Sequence, residues 1–253
     1  MPTMRLTHLC AATVLLEVGP LRLLTDPALD PAGGRYTFAP GMSSTKTTGP
    51  AIPPGALGRI DAVLLSHDHH ADNLDPAGRA FLPSAGRVLT TRSGARRLGG
   101  NAIGLADWQT TELDGLRVTA TPARHGPIFS LPLAGKVIGF LLETAGRSIY
   151  VSGDTVWFSG VAKVARRGPV SVALLHLGGV RFPITGPIRY TFDVAGAIHA
   201  ARALEAHTIV PIHYDGWSHF REGRAEFERA FEAAGLARRV RWPIPGEALE
   251  LEL

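Results

Sequence analysis

Apolar residues along this chain recur in short runs bounded by Gly, Pro and Asp, and most of these runs have the length and composition of strands. Strands are predicted over 4–9, 12–18, 21–25, 60–66, 87–91, 116–122, 137–143, 148–152, 172–176, 208–212 and 248–253. Helical periodicity is confined to 94–98, 160–167, 193–205 and 218–234. In the last of these, Phe220, Phe227 and Phe231 fall seven and four apart on one face and read as core. The segment 28–54, rich in Gly, Pro, Ser and Thr, reads as a long irregular loop. Loops of that length in compact domains commonly act as a lid or rim. Strands run first, helices then mix in, and the strand–helix order repeats in the second half. The class predicted is α/β (α+β), with two sheets packed together and helices outside.

With 253 residues there is ample chain for a large core, and no linker or repeat divides it. A hydrophobic content of 45% against 19% charged residues excludes a disordered chain. The single cysteine, Cys10, excludes an intramolecular disulfide framework and reads as core. No run approaches the roughly 18 apolar residues of a spanning helix, so no integral membrane segment is expected. Arg5 and His8 interrupt the first apolar stretch, which argues against a signal peptide and for a cytoplasmic location. The net charge of +4 comes from a basic complement in which 23 of 26 residues are arginine. Its densest spots, Arg166-Arg167 and Arg238-Arg239 with Arg241, lack interleaved aromatics, so no nucleic-acid partner is expected. A small-molecule substrate, anionic types included, fits better.

Candidate chemistry concentrates in Ser66-His67-Asp68-His69-His70-Ala71-Asp72-Asn73-Leu74-Asp75, directly after the apolar run 60–65. Three imidazoles and three carboxylates so close together fit poorly as packing, because each buried imidazole needs partners for both ring nitrogens. A divalent metal supplies them. Three later strands also lead into residues able to hold a metal: His125 in Ala123-Arg124-His125-Gly126, Asp154 in Gly153-Asp154-Thr155, and His213 in His213-Tyr214-Asp215-Gly216. The glycines permit tight turns that aim such side chains. His176, at the end of another strand, is a candidate for substrate contact, whereas His199 and His207 read as structural. Trp157 and Trp217 flank ligand loops as candidate walls, and Tyr190 and Tyr214 are candidate proton donors. Arg181 and Arg189 read as solvated, with contact to an anionic group as the alternative. Asp26, Asp75 and Asp215 are candidates for orienting the imidazoles, and for Asp26 turn capping is the preferred reading.

These motifs resemble the metallo-β-lactamase fold superfamily, and in particular its branch containing ascorbate-6-phosphate lactonase and N-acyl-phosphatidylethanolamine phospholipase D. Thr25-Asp26-Pro27 is similar to that branch's Asp-Pro turn. Pro122-Ala123-Arg124-His125, Ser152-Gly153-Asp154-Thr155 and Pro211-Ile212-His213 are similar to its third histidine, bridging aspartate and last histidine. The resemblance implies a four-layer αββα sandwich, a single hydrolase domain over 1–253, and one or two divalent metal ions, zinc foremost with manganese or iron as alternatives. The first motif departs from the family's His-x-His-x-Asp-His by one inserted residue, with Asn73 where a histidine belongs. His67 is then the first ligand and either His70 or His69 the second, with Asp72, Asp154 and His213 serving a second ion. Asp68 is a lesser alternative. The implied activity is hydrolysis of a small ester, lactone or phosphodiester by a metal-activated water, with Asp72 and His176 as catalytic candidates. The alternatives are a di-iron oxidoreductase and a non-catalytic or nucleic-acid-processing member.

Overall fold

The computed structural model describes residues 3–130 and 135–253. The chain divides into two compact units. The first comprises Met1–Ala106, Gly216–Ser218 and Pro243–Glu252. Its sheet joins β1 (Thr3–Cys10), β2 (Thr13–Val18), β3 (Leu21–Thr25), β6 (Ala62–Leu64), β7 (Arg87–Thr91), β8 (Ala102–Leu105) and β15 (Ala248–Glu252) in the order β15-β1-β2-β3-β6-β7-β8. Pairing is antiparallel from β15 to β3 and parallel from β3 to β8. Parallel neighbours need crossover connections. Here α1 (Pro76–Phe81) links β6 to β7 and α2 (Arg92–Leu98) links β7 to β8. Leu9, Leu15, Leu24, Val63 and Val88 from the strands join Leu82 and partly buried Phe81 and Leu98 in this unit's core.

The second unit comprises Asp107–Asp215, His219–Trp242 and Leu253. Its sheet runs β14-β13-β12-β11-β10-β9, from β9 (Thr110–Leu113), β10 (Leu116–Pro122), β11 (Ile138–Thr144), β12 (Arg147–Val151), β13 (Val172–His176) and β14 (Thr208–Ile212). Strand β13 is buried throughout, as a central parallel strand must be, which is why it reads as an unbroken apolar run. Helices α3 (Ser159–Ala165), α4 (Val194–Ala203) and α5 (Arg224–Ala233) pack on this sheet. In α4 the buried residues are Gly196, Ala197, Ala200 and Ala201, small side chains that allow close approach to the core. In α5, Phe227 and Phe231 point inward together, one turn apart.

Strand polarity places the chemistry. Strands β10, β12, β13 and β14 all run one way, because β10 and β12 each pair antiparallel with β11 while β12, β13 and β14 pair in parallel. Their C-terminal ends therefore share one sheet edge, and His125, Asp154, His176 and His213 follow or close those ends. In the first unit β3 and β6 are parallel, so Asp26 and Ser66 also leave from a common edge.

Four differences from the sequence reading have physical causes. The segment 28–54 is not irregular: it holds a hairpin of β4 (Arg35–Ala39) and β5 (Met42–Thr45) across the Pro40-Gly41 turn. Strands β8 and β9 were missed because both are short and largely exposed, with little apolar signal. Helix α1 was also missed, although Asp75 caps it by accepting from the Gly78 N–H and Pro76 opens it. Finally, α5 begins at Arg224, so Phe220 lies in the loop before it, where its ring sits 4.6 Å from that of His213. Among the described residues, no helix is long and apolar enough to cross a membrane.

Asp75 anchors the first unit beneath the ligand loop. One carboxylate oxygen accepts from the Leu29 and Gly78 N–H groups, each at 2.8 Å; the other accepts from the Asp30 N–H at 2.7 Å and Lys46 Nζ at 2.8 Å. Both side chains are fully buried. Removing one member of a buried, hydrogen-bonded pair typically costs about 3–5 kcal/mol. Asp75→Ala should lie in that range, because it strands the lysine and three backbone donors at once. Lys46→Met should cost less, since Asp75 keeps its three backbone donors. Urea unfolding of both variants at neutral pH checks the order, and a larger loss for Lys46→Met would show the carboxylate is not the organising group.

Candidate metal centre

In the first unit the ligand loop springs directly from β6. The Asp26 carboxylate accepts from the Ser66 N–H at 2.7 Å and so fixes where the strand stops and the loop begins. This corrects the preferred reading of Asp26 as a turn cap: its side chain supports the residue before His67. Ser66 Oγ in turn lies 2.9 Å from His67 Nδ1, which leaves Nε2 as the nitrogen facing away. His67 Nε2 and His70 Nδ1 stand 3.1 Å apart. Two nitrogens bound tetrahedrally to one ion at 2.0–2.1 Å would be separated by roughly 3.3 Å. The pair thus converges as two ligands of one ion do. His67 and His70 are buried. His69 is partly exposed, its ring 4.7 Å from that of His67 and 4.4 Å from that of His70.

The other members of the loop have distinct partners. Asp72 is buried, within a turn closed by the Asn73 and Leu74 N–H groups on the His70 carbonyl. The Asn73 amide nitrogen reaches Ser66 Oγ at 3.4 Å. Asp68 is taken by arginine: Arg97 donates to both of its carboxylate oxygens, and Arg79 donates to its backbone carbonyl at 2.8 Å. The carboxylate set aside as a lesser ligand thus serves to hold the loop. Sequence reasoning missed both arginines, since nothing in their local pattern connects them with residue 68.

In the second unit four strand ends deliver His125, Asp154, His176 and His213. His125 Nδ1 lies 2.7 Å from the Tyr190 carbonyl. A carbonyl can only accept, so Nδ1 carries the proton and Nε2 presents its lone pair, the tautomer a metal ligand needs. Asp154 is fully buried; its Oδ2 lies 3.9 Å from His125 Nε2 and its Oδ1 3.7 Å from His213 Nε2. These separations exceed hydrogen-bond lengths. They suit a carboxylate that would bind metal together with the imidazoles on either side of it. His176 Nδ1 is held at 3.1 Å by Ser152 Oγ, and its ring lies 5.6 Å from that of His213.

The backbone has special geometry at this edge. Gly153 lies in the left-handed region at φ 60°, and so does His213, a conformation uncommon for a non-glycine residue. Gly178 cannot carry a side chain, since a Cβ there would stand 2.6 Å from the His213 carbonyl oxygen.

Several sequence candidates are placed elsewhere. Burial, and then the Asp215 charge, push the Tyr214 phenol above its ordinary value, and the ring packs against Trp242 in the core. Tyr190 is buried with its ring 5.7 Å from that of His125. Asp75 caps α1, and Asp215 is exposed. Arg189 reaches Glu222 at 3.5 Å, and Arg181 is exposed. His199 stacks on Trp157 at 5.9 Å. His219 drew no attention in the sequence, yet it is buried and stacks on Phe182 at 5.2 Å and 11°.

Burial alone would raise the Asp68 carboxyl, but the hydrogen bonds and charge of Arg97, with His69, outweigh it and hold the group below the usual carboxylate range. A depressed folded pKa stabilises the native state fully above the unfolded value of about 4, and that contribution is lost as pH falls through the folded value. Asp68→Asn should therefore be less stable than the parent at pH 7, and the gap should narrow on acidification to pH 3. Denaturant midpoints at the two pH values check this; a gap that stays constant would show that the charge of Asp68 is not what stabilises the loop.

Comparison with known proteins shows the family. Residues 21–214 match the beta-lactamase superfamily domain. A metal-dependent hydrolase of Pelotomaculum thermopropionicum is 31% identical over 201 residues, covering 76% of this chain and 83% of the relative. Among solved structures, a possible metal-dependent hydrolase from Veillonella parvula is similar with a TM-score of 0.86 at 20% identity, covering 97% of this chain and 98% of the other. An isothiocyanate hydrolase from Delia radicum gut bacteria has a TM-score of 0.85 at 25% identity, with the same coverage. The mixed α/β class and sandwich type expected from the sequence are those of this fold. The chain belongs to the metallo-β-lactamase superfamily.

Proposed function

We propose that the chain is a metal-dependent hydrolase of small molecules, in the branch its Thr25-Asp26-Pro27 turn resembles, and that both units act as one catalytic domain over 1–253. In this reading the metal ligands are His67, His70 and Asp72 of the first unit and His125, Asp154 and His213 of the second, together holding one or two divalent ions. The observation that carries it is the pair of convergent donor sets: two imidazole nitrogens 3.1 Å apart in one unit, and a buried carboxylate facing two imidazoles in the other. Ligands of imidazole and carboxylate suit zinc first, with manganese and iron also accommodated.

Bound ions of this kind lower the pKa of a water toward about 7 and polarise a carbonyl or phosphoryl oxygen. The chain's own residues supply the rest. Tyr190 fixes the His125 tautomer through its carbonyl, and Ser152 holds His176 close to His213, where its imidazole can meet substrate. Asp72 is the candidate to orient the attacking water or accept its proton. His69, more exposed than its neighbours, stands outside the ligand set. An ester, lactone or phosphodiester is the substrate class proposed, and the likeness to the isothiocyanate hydrolase adds that electrophile to the compounds worth testing.

Protein purified without chelator and reloaded should hold between one and two equivalents of a divalent transition metal, and elemental analysis finding less than about 0.2 equivalents would refute the reading. His67→Ala, His70→Ala and His125→Ala should each lose metal and nearly all turnover. His69→Ala should keep its metal with a modest change in rate. Equal and complete metal loss in the His69 and His70 variants would make both imidazoles ligands. Asn73→His should tighten metal binding by restoring the missing imidazole, which metal titration reads directly.

A further inference from the structure

The connection between β3 and β6 carries aromatic rings to the ligand loop. Tyr36 and Phe38 lie two apart on β4, Phe38 at a break in the β4–β5 register, and the rings of both turn toward Trp217. Trp217 backs both, with ring centroids 5.1 Å from Tyr36 and 6.0 Å from Phe38. Phe38 then meets the His70 ring edge-on at 5.4 Å and 62°. Edge-to-face contacts at these distances are favourable for aromatic pairs.

The hairpin is fastened from below. Lys46, just past β5, forms a backbone bridge with Trp217, and its ammonium lies 5.8 Å from that ring. Thr47 N–H donates to the Gly216 carbonyl at 2.8 Å, and Ser218 N–H donates to the Thr45 carbonyl at 3.0 Å. The Tyr36 hydroxyl donates to Asp30 at 2.6 Å. Burial and the Asp30 carboxylate both push that phenol upward, so it stays a donor near neutral pH. Phe38 nevertheless remains only half-buried. An aromatic ring held firmly against an imidazole, with part of its surface still open, has apolar area left for a ligand to cover.

The geometry points to Phe38 as a specificity-determining residue: its ring forms an apolar wall beside His70 and selects substrates with an apolar group next to the scissile centre. This rests on the reading of His70 as a metal ligand. Covering a phenyl-sized group against such a wall strengthens binding, whereas a methyl group cannot reach across it.

Zinc-loaded protein titrated calorimetrically with phenylphosphonate and methylphosphonate isolates the wall, since the two probes share one anionic head. The parent should bind phenylphosphonate about tenfold or more tightly, equivalent to ~1.4 kcal/mol. Phe38→Ala should reduce that preference to about threefold or less with zinc content unchanged, and Phe38→Leu should keep most of it. An unchanged preference in Phe38→Ala overturns the inference alone. So does an equal weakening of both probes with loss of zinc, which would make Phe38 a support for His70 and nothing more. A parent that binds no zinc overturns the metal reading, and the inference falls with it.

Discussion

The Asp75 carboxylate is the interaction on which the first unit's functional edge depends. Four donors from three separated segments converge on it: the Leu29–Asp30 backbone, the first turn of α1, and Lys46. A buried carboxylate holds its charge only when its oxygens are satisfied in this way. The consequence reaches both sides. Upstream in the chain, Lys46 seats the hairpin against Trp217, and with it the rings of Tyr36 and Phe38. On the other side, Asp75 directly follows the turn that contains His70, Asp72 and Asn73 and caps the helix after it. The loop 67–73 and the hairpin are thus both braced by this one carboxylate.

The second unit reaches the same end by topology. Its four candidate residues come from four strands that share one direction, so no loop need bend far to present them. Small local forces then complete the aim. The Tyr190 carbonyl decides which nitrogen of His125 carries the proton, and Ser152 holds the His176 ring. The left-handed backbone at His213 is tolerated because residues 209–212 before it are buried and Gly178 leaves space for its carbonyl. Strain at one residue is held by the rigidity of its neighbours.

Much of this was legible in the sequence. Strands 21–25, 87–91, 116–122, 172–176 and 208–212 lie at the limits their apolar-rich runs indicated, and in 172–176, buried throughout, the run is apolar up to its closing histidine. His and Asp at the ends of such runs were visible as a pattern, since strand ends are where a sheet exposes side chains. The resemblance carried by Thr25-Asp26-Pro27, His125, Asp154 and His213 indicated the superfamily that the comparisons show. The Pro40-Gly41 turn and the Asp75-Pro76 cap were also present as signals, though the exposed flanks of the hairpin hid it within a polar stretch.

Other features were decided by tertiary structure alone. The order of residues 67–73 left the second imidazole open between His69 and His70, because one inserted residue can be absorbed on either side. Only the folded loop directs His70 toward His67 and leaves His69 partly exposed. Asp68 stood as a lesser ligand candidate, and Arg97, 29 residues away, takes its carboxylate. Phe220 had helical spacing with Phe227, yet it lies beside His213, since the loop before α5 has its own course. The sequence by itself determined most of the core strands and the donor types at their ends, because these follow from local apolar pattern and side-chain chemistry, whereas strand order and direction came from the pairing. Which donor meets which partner depended on contacts between distant segments, and only the fold brings those together.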